Sequence, residues 1–151
     1  MDAYDMSHKL AYAGRFSPVP FYTGPEFTNS VPGVPVLSMV RVFIRPQDWS
    51  LENVLTVAGE ISRAIGPTEQ FDVGLTLAAK PVYSPDLPAA STTARLTKLD
   101  PEDRRVFLRV SEGDGDKVFV ASFPRLNFEP SGEDFWRSLY APGATKFSGQ
   151  Q

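Results

Sequence analysis

Proline constrains this chain before anything else does. Pro18, Pro20, Pro25, Pro32 and Pro35 fall within the first 36 residues, beside Tyr4, Tyr12, Phe16, Phe21, Tyr22 and Phe27. Proline removes a backbone donor and fixes φ, which works against helices and sheet ladders. A solvated disordered tail is usually poor in aromatics. The two facts together predict an extended arm over residues 1–35, lying on its own domain or on a neighbour, with the six aromatics as contact residues.

Proline also punctuates the rest of the chain. Pro81, Pro85 and Pro88 mark an inner loop over residues 80–91, and Pro124, Pro130 and Pro142 mark a tail after Phe123. The regular elements lie between these segments, in a single domain over residues 36–151. A chain of 151 residues is of single-domain size, and such a domain buries roughly 68–70% of its unfolded surface.

Val36 to Ile44 reads as a strand. Val36, Val40, Val42 and Ile44 alternate with Leu37, Met39 and Phe43, so both faces are apolar and the strand is interior. Residues 51–65 predict the main helix. Leu51, Val54, Leu55, Ala58, Ile61, Ala64 and Ile65 form one stripe, Ser50 is placed to cap it, and Gly66-Pro67 ends it. Gly59 inside this helix suggests close approach of another backbone.

Phe71, Val73, Leu75 and Leu77 alternate with small and polar residues, as a half-buried strand does. Thr92 to Leu99 is a further strand. Arg104 to Ser111 and Lys117 to Phe123 flank Glu112-Gly113-Asp114-Gly115-Asp116 and predict a hairpin. Ser131 caps a short helix over 132–140 that carries Phe135, Trp136, Leu139 and Tyr140. Successive strands without alternating helices predict an α+β fold: an antiparallel sheet of about five strands with the 51–65 helix across one face.

Composition excludes much chemistry. There is no cysteine, which removes disulfides, thiolate metal sites and cysteine nucleophiles. The one histidine, His8, falls in the arm, so a Ser-His-Asp triad on the folded body is not expected. The net charge of −3 argues against a dedicated duplex-DNA binder. No phosphate-binding glycine loop occurs. The acidic hairpin tip offers calcium too few ligands and reads as a solvated turn. No catalytic residue, cofactor or metal is expected. The sequence Met-Asp-Ala-Tyr-Asp lacks the basic region and apolar core of a signal peptide, and a cytoplasm-like compartment is the expectation.

Three functions remain. The first is a non-enzymatic assembly protein, a subunit of a homo- or hetero-oligomer, with virus and phage particles among the candidates. Its partner interface would be Tyr4, Tyr12, Phe16, Phe21, Tyr22 and Phe27 of the arm, with Phe135, Trp136 and Tyr140 of the tail. Large aromatics of this kind dominate interface energetics. The second is a small-ligand-binding or enzymatic α+β domain. The third is a single-stranded RNA- or DNA-binding protein using Arg105, Phe107 and Arg109 on one sheet face, a pattern that Arg41, Phe43 and Arg45 repeat. Against that third function, arginine stems also cover apolar layers while their heads stay wet.

Overall fold

The computed structural model describes residues 3–23, 40–71, 75–80, 92–98, 100–112 and 115–131. Helix Leu51–Ile65 (called α2 below) forms where its capping residues and apolar stripe put it. Ser50 is extended, and its hydroxyl accepts a hydrogen bond from the Asn53 N–H at 3.2 Å. That satisfies one of the orphan donors of the first turn. Gly66 closes the helix at φ 95°, and its N–H donates to the Ser62 carbonyl at 2.9 Å. Val54, Val57, Ala58, Ile61 and Ile65 are buried along one side.

The N-terminal segment departs from the expected extended arm. Residues Ala3–Phe16 form a helix, α1, and Phe21–Thr23 form a strand, β1. The reason is local. The first proline is Pro18, so nothing interrupts helical hydrogen bonding before it, and Met6, Leu10, Ala11 and Ala13 are compatible with helix. Ser7, Leu10 and Gly14 recur at helical spacing and are buried. The remainder of the expected arm, residues 24–35 with Phe27, lies outside the described residues. So do the inner loop beyond Lys80, the hairpin tip 113–114 and the expected helix 132–140.

Six further strands follow: β2 (Val40–Ile44), β3 (Leu75–Ala79), β4 (Thr93–Thr97), β5 (Arg105–Glu112), β6 (Gly115–Ser122) and β7 (Arg125–Ser131). Among the described residues the sheet has seven strands, and their spatial order is their chain order. Two expectations are thereby corrected, the count of about five and the all-antiparallel character. β2 and β3 pair in parallel, from Val40↔Leu75 to Ile44↔Ala79, while every other neighbour pair is antiparallel. Parallel neighbours need a long crossover, commonly a helix, and α2 supplies it. β7 belongs to what reads as a proline-broken tail. A proline is tolerated there because β7 is the last strand of the order, and edge strands accept Pro. The Phe123–Pro124 bond before it is cis.

Of the expected strand from Phe71, Leu75–Ala79 forms β3, and residues 72–74 lie outside the described residues. Phe71 is buried ahead of it, and its N–H donates to the Lys98 carbonyl at 2.9 Å. The hairpin of β5 and β6 holds as expected, in register from Arg105↔Ser122 to Glu112↔Gly115.

One core lies between the helices and the sheet. Leu10 of α1 and the buried side of α2 meet Phe21, Val42, Ile44, Leu77, Leu96, Val106, Leu108, Phe119 and Leu126. Phe43 alternates with Val42 and Ile44, and Phe107 with Val106 and Leu108, so both rings face away from that core. Phe107 and Val118 form a second, smaller cluster with Val120 against it.

Candidate functional site

α1 presents two unlike sides. Its inner side is held by packing, and most tightly at Gly14, where a β-carbon would come within 2.1 Å of the Phe21 carbonyl oxygen. Its outer side carries Asp5, His8, Lys9, Tyr12 and Phe16, all exposed. These positions follow the i, i+3, i+4, i+7, i+11 spacing of one helical stripe. Tyr12 is 67% exposed and Phe16 72%, and they are the large hydrophobic side chains that stand in solvent among the described residues. Their rings lie 5.1 Å apart and tilted by 52°, within the range in which aromatic pairs attract each other. Beside them a broad open depression of about 570 Å³ is lined by Asp5, His8, Lys9 and Tyr12.

The other expected interface residues divide. Tyr4 lies in the first turn of α1. Phe21 is buried and packs into the chain's own core. Tyr22 is half-buried. Its hydroxyl donates to the Lys80 carbonyl at 2.8 Å, and its ring stands 5.5 Å from that of Phe43. The Lys80 ammonium sits 4.8 Å from the centre of the same Phe43 ring, a cation–π contact tying β2 to the end of β3. Tyr22 thus fastens β1 to its neighbours. Phe27, Phe135, Trp136 and Tyr140 lie outside the described residues.

The arginine-aromatic sheet face has a different geometry from the one nucleic acid would need. Phe107 is 1% exposed, so no base could stack on it without displacing what covers it. Arg105 donates from both Nε and Nη2 to the Asp103 carboxylate, at 3.0 and 2.8 Å, while its guanidinium lies 5.4 Å over the Phe107 ring. The hydrogen bond to Asp103 raises the Arg105 pKa further. Arg109 donates from Nε to Asp116 at 2.8 Å. Hydrogen bonds from Ser111 and then Arg109 hold the Asp116 carboxyl below its usual range. Arg45, in the repeat of this pattern, is bound to Asp48 at 2.6 Å.

Two features carry no clear trace in residue patterning. One is Lys98, at the end of β4 and fully buried. Its ammonium donates to the carbonyls of Asp100 and Pro101 at 3.1 and 3.2 Å, closing the turn into β5. The other is an open groove of about 370 Å³ between α2 and β7, lined by Leu55, Thr56, Gly59, Glu60, Leu126 and Asn127 among others. Gly59, expected to admit another backbone, stands there with the Leu126 carbonyl 3.7 Å from where its β-carbon would be. Among the described residues no three His, Cys, Asp or Glu side chains gather as metal ligands would. Nor is any helix among them long and apolar enough to cross a membrane.

No protein family, curated protein or solved structure matches this chain.

Proposed function

We propose that the chain is a non-enzymatic component of a larger protein assembly and makes its contact through the outer stripe of α1. The observation that carries this is the exposure of Tyr12 and Phe16, one turn apart on a helix whose opposite side is fixed in the core. Exposed aromatic pairs are costly to solvate and are the residues that most often anchor interfaces. The contact surface is thus helical, narrower than an extended arm and more rigid.

Small-ligand binding has less support, because the two depressions described are open surface features and, among the described residues, the core between the helices and the sheet is one continuous apolar cluster. Single-stranded nucleic acid has less support as well. Its stacking ring is buried and the two arginines beside it are each bound to an aspartate.

Site-specific photo-crosslinking tests the proposal. A benzoylphenylalanine replacing Phe16 or Tyr12 should give a discrete protein adduct in the producing cell. The same group at exposed Gln47, on the turn before α2, should give none. Absence of any adduct from both α1 positions would end the proposal.

A further inference from the structure

The stripe on α1 is complementary to itself, and we propose that its partner is a second copy of this chain, bound α1 against α1 in antiparallel. This rests on the assignment of α1 as the contact surface and adds the identity of what it contacts. Asp5 stands in the first turn and Arg15 in the last, both exposed. That polarity suits the helix macrodipole, and it also makes two antiparallel copies complementary in charge. A twofold axis crossing the helix between the levels of Leu10 and Ala11 brings Phe16 of one copy to the level of Asp5 of the other. Arg15 then falls within one residue of the same carboxylate, and Tyr12 comes level with the second copy's Lys9, where an ammonium can lie over a ring.

Shape agrees with charge. Phe16 protrudes near one end of the stripe, and the depression lined by Asp5, His8, Lys9 and Tyr12 lies toward the other. In a twofold pair each Phe16 meets the depression of its mate, so the same contact is made twice, as an isologous interface requires. A helix of 14 residues is only about 21 Å long. One such face buries less than a standard interface, so the dimer is weak and exchanges readily, with micromolar affinity or poorer.

Sedimentation equilibrium and light scattering on the full chain decide this. The mass should climb from 16.6 kDa toward twice that value as concentration rises. Tyr12→Ser with Phe16→Ser should hold it at the monomer. Asp5→Arg alone and Arg15→Asp alone should each weaken the dimer roughly three- to tenfold, and the two together should restore it.

The chain has no cysteine, which gives a second measurement independent of those variants. Lys9→Cys, on the outer stripe and close to the axis, should oxidise to a covalent dimer far faster than Gln47→Cys. A monomer at every concentration with no Lys9→Cys dimer would overturn the second copy while leaving α1 free to contact another protein. A dimer indifferent to loss of both aromatics would overturn α1 as the contact surface as well. Failure of the double charge swap to restore pairing would overturn the antiparallel arrangement.

Discussion

Gly14 lies so close to Phe21 that a β-carbon on the glycine would stand 2.1 Å from the Phe21 carbonyl oxygen. The obstacle is backbone, which cannot swing aside as a side chain can. Gly14→Ala should therefore cost about 2–3 kcal/mol despite alanine's better helix propensity. Gly59 in α2 is the contrast. There the nearest atoms are the tip of Arg63 at 3.4 Å and the Leu126 carbonyl at 3.7 Å, ordinary contact distances. Gly59→Ala should be neutral or stabilising by up to about 1 kcal/mol. The urea midpoint of Gly14→Ala should fall while that of Gly59→Ala holds or rises, and equal shifts would contradict the packing of α1 on β1.

Phe107→Ala should unfold the protein more easily by about 3–5 kcal/mol, because the ring is buried against Val118 and beneath Arg105. A ring serving nucleic acid would behave differently, losing anisotropy with labelled single-stranded RNA at little cost in stability. Both quantities can be measured on one preparation.

Tyr12→Ser and Phe16→Ser should each change the unfolding free energy by less than about 1 kcal/mol, since each side chain already stands in water and, among the described residues, gives up one neighbouring ring. Denaturant titration checks this. A larger loss would mean that the pair is needed for the fold.

Lys98 gives a dependence on alkaline pH. Burial lowers its pKa from the ordinary 10.5, with the Asp103 and Asp100 charges opposing in part. In the window between the lowered value and 10.5 the unfolded chain holds more protons than the folded one, so stability rises with pH there. Below that window the folded state carries the full cost of a buried ammonium. The unfolding free energy of the parent relative to Lys98→Met should therefore increase as pH climbs toward 10.5. A difference that stays flat from neutral pH upward would show that the amine titrates normally.

How far these elements could be read beforehand depended on how local their causes were. α2 was legible because a seven-residue apolar stripe, a serine cap and Gly66-Pro67 all agree within 18 positions. The β5–β6 hairpin was legible because Glu112 and Gly115 close it between two alternating strands. α1 was not, because the proline content of a 36-residue window hid a proline-free stretch ahead of Pro18. Its buried stripe also uses Ser7 and Gly14, which carry little hydrophobic signal. Consequently composition alone suggests an extended backbone for Tyr12 and Phe16, which stand on a helix, while Phe21 and Tyr22, equally aromatic, pack against the chain itself. Aromatic composition does not tell an anchor from a core ring. Asp5, His8 and Lys9 become visible as companions of Tyr12 only once the segment is helical. β7 was hidden by Pro130, and the parallel pair by its dependence on a contact some 35 residues apart, from Val40 to Leu75.

That parallel pair divides the molecule in time. From β4 to β7 each strand meets the one before it in sequence through an antiparallel pairing, and only β2 must wait for α2 to form and cross before it can find β3. Closing a long loop is the slower event, since its entropy is lost before any contact repays it. We predict that the β4–β7 meander gains protection first during refolding, with β1, β2 and α1 joining afterwards. Pulsed hydrogen exchange would read this as early protection of Leu108 and Val120 amides against late protection of Val42. Simultaneous protection would mean a single nucleus spanning the crossover. On the expected order, the face proposed to meet a second copy is the last part of the chain to exist, so any such association would begin only after the sheet beneath it is complete.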